Sequence, residues 1–392
     1  MKSSLALITA CAVMMTMLSV VVAPTARAAG VTALPTGDFS IESNYHLNDP
    51  VVDALVGKLG TAKVSEVMDS ANHDRKPLGS LPLAHTGFRF DDSDNSTCAA
   101  YPQGITTSRD AVGTANNGRY DGRQVVGVSW YTKDACDGKT TRSRLTLTDW
   151  DANYPNKYRK ILFVAPTGTA AAPNFVDIPI HAGGVSWYGH YLYLADTGKG
   201  MRIFDMRKIV KVDVGGSAAD IGLSSDGKYH AHNYRYVLPQ IGEVTSAVAS
   251  GTVKLNWSTI SLDRVSKSMV MTEYTCNGCT KYPDRAPRAV RFPFGDGGVF
   301  PASTKASQAL QLPFYNLNGV ASHNNRWWFA SSAAKELYYW TPTAGAHTYP
   351  WVSYAESISY WEDATEADLL WSLREGAGNR DVFTVKQASY DG

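Results

Sequence analysis

The sequence predicts an all-β chain folded as a β-propeller, with a short helical segment near its N-terminus. Three observations carry this. Beyond residue 98 the chain reads as short β-rich runs broken by Gly, Asn and Asp. Several of these runs repeat one phrase: a small residue, an alternating strand, a polar turn, an aromatic-rich strand, a Gly or Ala turn and a third strand. The chain is also rich in large rings, with 21 Tyr and 10 Trp in 392 residues. Small sheets that bury both faces against their neighbours can hold rings on both sides. A repeat of roughly 40–50 residues and about four strands is the signature of propeller blades. A β-sandwich would show alternating runs without a recurring phrase.

The elements follow in order. Residues 1–28 read as a secretory signal peptide: Lys2, an uncharged apolar run from Leu5 to Val22, then the small-x-small site Ala26-Arg27-Ala28, with cleavage before Ala29. Residues 29–97 form an N-terminal segment. Val51, Val52, Leu55, Val56, Leu59, Val64 and Val67 recur with a helical period there, and Pro50 suits the first helical position. The rest of that segment has room for closing strands. Residues 98–392 form the propeller. The repeated phrase runs through Gly183–Asp205, Asn318–Trp340 and Glu356–Thr384. Two longer units are compatible with it, one from Gln103 to Val164 and one from His232 to Phe294. Five blades are counted, starting near residues 100, 178, 228, 315 and 355, and the N-terminal segment leaves a sixth or seventh open.

Removal of Cys11 with the signal leaves Cys98, Cys136, Cys276 and Cys279. An even count in an exported chain predicts disulfides, Cys98–Cys136 and Cys276–Cys279. Cys276-Asn277-Gly278-Cys279 lies between two β-rich runs and reads as a structural staple. A redox motif would want a βαβ context, and a zinc site a second C-x-x-C or a nearby His pair. A formal net charge of +1 excludes a strong field for nucleic acid or anionic membrane. No G-x-S-x-G, H-E-x-x-H, P-loop or dinucleotide fingerprint is present. The expected mature protein is a secreted, membrane-free monomer.

Val185–Phe204, centred on Tyr193-Leu194-Ala195-Asp196-Thr197-Gly198, resembles the strand phrase of NHL-repeat and gluconolactonase-like propellers. That resemblance implies a divalent cation, such as calcium, held by Glu and Asn at blade starts; Glu356 and Asn318 fit the pattern. A looser resemblance, of fold and compartment, is to propeller-fold polysaccharide lyases acting on uronate-containing glycans. There a His/Tyr pair and an Arg perform β-elimination.

The start of each inner strand should face the channel mouth, so polar residues there are candidates. They are Gln103, His181, His230, His232, Asn318 and Glu356. His181, His232 and Tyr236 are candidates for proton transfer, Arg235 for neutralising a substrate carboxylate, and Glu356 as a carboxylate base or cation ligand. Gln103, His230 and Asn318 are candidates for substrate binding. Each has a plainer reading: His181 and Glu356 as turn acceptors, Arg235 and Tyr236 as strand packing. The sequence predicts that His181, His232, Asn318 and Glu356 meet in one pocket with Arg235 or Tyr236 at its rim. The function expected is a secreted carbohydrate-active enzyme, lyase or hydrolase, on an acidic glycan. The alternative is a non-catalytic propeller binding an extracellular glycan, a protein, cell-wall material or a small-molecule ligand.

Overall fold

A computed structural model describes residues 30–363 and 365–392; the signal-peptide reading lies outside them. Strands dominate, and they form a β-propeller. Its inner strands are Ala100–Thr107, Val185–Tyr188, Trp257–Asp263, Leu317–His323 and Ala355–Trp361. Each adjoins the next, and the last adjoins the first, so the five close a ring. The sheets built outward from them are numbered I to V in chain order. Within a sheet each strand runs antiparallel to the one before, as in Val185–Tyr188, Tyr191–Asp196 and Gly200–Asp205 of II. Sheets I and II are joined at their outer edges. The long strand Tyr236–Val248 pairs antiparallel with Gly200–Asp205 and, through Val237–Pro239, in parallel with Lys157–Gly168 of I.

The gaps between sheets explain the aromatic-rich phrase. Leu192 and Leu194 face the I–II gap, beside Leu147 and Phe163. Tyr193 and Ala195, on the opposite face of the same strand, face the II–III gap beside Ile260 and Met269. Similar clusters fill III–IV around Val320 and Phe329, IV–V around Trp328 and Ile358, and V–I around Trp130 and Trp371. Each fully buried ring or branched side chain contributes about 1.5–3 kcal/mol by leaving water. Both strand faces are therefore apolar by necessity.

The N-terminal segment stitches the ring. Thr32–Ala33 pairs at the edge of III, Phe39–Asn44 pairs with Tyr236–Val248, and Thr86–Arg89 pairs with the last strand of V, Asp381–Lys386. The helical stretch divides into Asp49–Leu59 and Val64–Asp69, because Gly60 takes a positive φ of 69°. Asn48 precedes the first helix without capping it; its amide donates to the Gln240 carbonyl instead, at 3.1 Å. Cys98 is bonded to Cys136 and Cys276 to Cys279, with Cα separations of 4.8 and 5.9 Å. None of the described helices is long and apolar enough to cross a membrane.

One strand phrase was misplaced by the sequence. The run expected to open a blade near residue 228 is instead the outer strand of II, and the inner strand of III begins at Trp257. The segment before it, rich in Gly and Asp, folds into a local hairpin of Ile221–Leu223 with Tyr229–Ala231. That hairpin separates the third and fourth strands of II and disguises the fourth as a new start.

Candidate functional site

A cavity of about 730 Å³ opens at the end of the channel where the inner strands begin. The sequence builds it by one repeated irregularity. The inner strands of I, III, IV and V each slip register near their start, at Pro102/Ile105, Trp257/Thr259, Leu317/Gly319 and Glu356/Ile358. A bulge re-aims the side chain beside it. Gln103, Ser258, Asn318 and Glu356 accordingly line the cavity. Buried serines on the second strands brace these bends. Ser372 Oγ donates to the carbonyls of Glu356 and Ser357 at 3.0 and 2.9 Å. Ser129 Oγ accepts from Gly104 N–H and donates to the Ala182 carbonyl. Gly104, Gly183 and Gly184 are needed because a Cβ there would lie 2.4 Å from backbone or side-chain atoms across the ring. Their role is close approach of neighbouring strands rather than a tight turn. Ala182 and Ser357 hold positive φ angles of 58° and 25°, local strain in the buried backbone next to His181 and Glu356.

A second ring of residues comes from the ends of the second strands or just past them, which antiparallel pairing places at the same level. These are Lys133, Thr197, Tyr274, Ser332 and Glu375. Glu375 supplies the second carboxylate that reading only the inner strands misses. Its sequence signal is its position, one residue beyond the strand Leu369–Arg374. Arg374 bonds to Asp381 instead, and Arg380 Nε donates to the Glu375 backbone carbonyl at 3.0 Å.

The electrostatics are uneven. Glu356 is 4% exposed and has one protein donor, the Asn318 amide, at 3.0 and 3.1 Å to its two oxygens. Desolvation, then the nearby Glu375 charge, raises its carboxyl well above the ordinary range, against the Asn318 hydrogen bond. Glu375 accepts from Gln103 Nε2 at 2.7 Å. Desolvation raises it as well, while Gln103, Arg380 and Lys133 oppose the rise. His181 stacks on Tyr131 at 4.6 Å and is exposed where it lines the cavity. Desolvation, with the Lys281 and Lys133 charges, pushes its imidazole down to about 4, so it is neutral at neutral pH. Burial followed by the Glu375 charge raises the Tyr131 phenol. The loop tied by Cys276–Cys279 brings Lys281 and Tyr282 over the cavity.

Gln103, His181, Asn318 and Glu356 thus come together. His230, His232, Arg235 and Tyr236 do not. His232 bonds Asp177 at 2.9 Å and the Ala218 carbonyl at 2.8 Å, in the hairpin region outside the ring. His230 bonds Asp226 at 3.0 Å. Tyr236 is buried in the I–II gap, its hydroxyl 2.8 Å from Ser70 Oγ. Arg235 lines a separate surface hollow. Their alternation imitates an inner strand, but each histidine is held by local partners outside the ring. Trp327, Trp328 and Trp371 are fully buried packing residues. The rings that border the cavity are Tyr131, Trp257, Tyr274 and Tyr282.

The cation expected at Glu356 and Asn318 does not fit. Asn318 turns its NH2 to Glu356, and its carbonyl accepts from Ser332 Oγ at 2.7 Å. A hard cation wants several free oxygens. Among the described residues one group has metal-like spacing, His73, Asp91 and Asp94. Asp94 is already taken by Arg144, Lys160 and the Tyr158 hydroxyl.

No protein-family model and no curated protein matches this sequence. Solved structures similar to it are propeller-type proteins. The Cps50 (Swd1) β-propeller domain of Myceliophteria thermophila has 11% identity and a TM-score of 0.32, over 74% of this chain and 99% of that one. The aldose sugar dehydrogenase of Streptomyces coelicolor has 12% identity and a TM-score of 0.30, over 92% and 99%. Streptogramin B lyase has 10% identity and a TM-score of 0.27, over 81% and 99%. At such scores no activity transfers to this chain.

Proposed function

We propose that this protein is an exported enzyme that cleaves an anionic glycan by β-elimination at the mouth of the propeller channel. One observation carries the reading: a single cavity is lined by an imidazole, two carboxyls and two amines, those of His181, Glu356, Glu375, Lys133 and Lys281. Elimination from a uronate needs its carboxylate neutralised, its α-proton removed and its leaving oxygen protonated. Lys133 and Lys281 neutralise the carboxylate. His181 takes the α-proton, and the electron pair of that C–H bond becomes the new C=C bond. The glycosidic C–O bond breaks as protonated Glu356 gives its proton to the departing oxygen. Tyr131 holds the imidazole plane, and Tyr274 and Tyr282 offer faces for sugar rings.

Hydrolysis is the second reading, favoured by the carboxyl pair. Glu375, beside Lys133 and Arg380, would be the ionised base, and Glu356 the acid. Incubation of the purified protein with a panel of polysaccharides separates these readings. Elimination yields ultraviolet-absorbing unsaturated ends together with new reducing ends, and hydrolysis yields reducing ends alone. A folded protein producing neither on acidic and neutral glycans would sink the enzymatic reading. Export is tested by N-terminal sequencing of culture supernatant, where Ala29 is the expected first residue.

A further inference from the structure

We infer that a basic groove over blade I leads to the channel mouth and binds the continuing chain of an anionic polysaccharide. This rests on the reading that the mouth acts on such a glycan, and it extends the site beyond the cavity. Two hollows of about 250 and 260 Å³ lie beside the cavity on this blade. They share Arg144 and Tyr234 as lining residues, and the nearer hollow shares Lys133 with the cavity itself. The three spaces are thus neighbours in series, each linked to the next by a shared lining side chain. Lys133, Arg142, Arg144, Arg159, Lys160 and Arg235 line the two hollows. Asp94 is the one carboxylate among their lining residues, bound to Arg144 at 2.8 Å and Lys160 at 2.7 Å. Among the described residues Arg142 and Arg235 make no side-chain hydrogen bond or ion pair, and Arg142 Nε is buried without a partner.

A chain of formal charge +1 does not acquire such a run by general basicity. The concentration is local, and it ends where acid–base groups meet. Nucleic-acid binders carry a broad positive field, which this chain lacks. A polymer of uronate or sulfated sugars fits better, because its rings suit the tyrosine-bordered mouth and its repeated anions suit the groove. Uronate and sulfate share the chemistry that the groove recognises.

The test is binding of labelled oligogalacturonates, short (about three sugars) and long (about twelve sugars), to the full mature chain, since a second contact region rewards length. A length-matched sulfated glycan, neutral dextran and single-stranded DNA are the other arms. The long uronate or sulfated chain is expected to bind about ten-fold tighter than the short one. The double variant Arg142→Glu/Arg235→Glu should lose that gain while binding the short chain as before. Arg142→Gln/Arg235→Gln repeats the measurement should charge reversal disturb folding. An equal length gain with dextran, a gain retained in both double variants, or DNA binding tighter than either glycan would overturn the inference. Length-dependent binding without cleavage would leave the groove standing and remove the proposed reaction. Cleavage of the short chain without a length gain would do the reverse.

Discussion

Two of the buried carboxyls among the inner strands invite comparison, Asp110 between I and V and Glu356 at the mouth. Burial raises both above the ordinary range, as the largest cause in each case. Their surroundings differ. Asp110 Oδ2 accepts from Thr106 Oγ1, Thr107 N–H, Thr107 Oγ1 and Ser359 Oγ, at 2.9, 2.8, 3.2 and 2.6 Å. It also completes a capping box on the helix Ser108–Val112. Glu356 has the Asn318 amide as its protein donor and otherwise faces an open cavity. A raised carboxyl is thus not by itself a functional one. It is available for chemistry where its hydrogen-bonding capacity is left for a substrate and space adjoins it.

That contrast can be broken by experiment. Glu356→Gln should reduce turnover by about 10²–10⁴-fold, the usual range for loss of a positioned acid, with the fold intact by circular dichroism. The Glu356 carboxyl is raised in the folded chain, so the native state binds its proton more tightly than the unfolded one. Its stability contribution is full below about pH 4.5 and declines as pH rises towards its folded value. Gln does not titrate, so the melting temperature of Glu356→Gln should gain on wild type as pH rises. A gap that narrows instead would overturn the assignment.

His181→Ala should lower turnover by about 10²-fold as a lost base. The wild-type rate should fall as pH drops through about 4, because the imidazole gains its proton there. The alkaline limb belongs to Glu356 losing its proton. An acid limb unchanged in Glu356→Gln and absent from the residual activity of His181→Ala would sharpen the division of roles.

Asp110→Ala should instead cost about 3 kcal/mol of stability by stranding buried donors, with turnover per folded molecule unchanged. Loss of activity at unchanged melting temperature would erase the distinction between the two carboxyls. The smallest effect is expected for Cys276→Ser/Cys279→Ser. So short a loop stabilises the fold by about 2 kcal/mol or less. Lys281 and Tyr282 would lose their anchor, so KM should rise a few-fold with little change in kcat.

The strand phrases were legible because they are local. Leu192-Tyr193-Leu194 alternates towards two gaps, and that alternation is written in consecutive residues. Gln103, His181, Asn318 and Glu356 were legible for the same reason, each lying where a phrase begins. His232 and Arg235 misled because an alternating run bounded by turn residues looks alike whether it opens a blade or closes one. Nothing local tells that Tyr236–Val248 pairs with two sheets at once. Glu375 was hidden because it lies one residue beyond the second strand Leu369–Arg374 rather than where a phrase begins.

By itself, then, the sequence determined the all-β class, the propeller phrase, the cysteine pairing and the polar residues near the start of four of the five inner strands, those of I, II, IV and V. Periodicity and spacing depend on neighbours along the chain, so they survive without knowledge of the fold. Only the tertiary structure decided which polar groups share a cavity. Ring closure brings Lys133, His181, Asn318, Glu356 and Glu375 to one mouth from blades far apart in sequence. Desolvation by that same closure raises the carboxyls and lowers the imidazole. Both effects depend on distances through space, which no order of residues states.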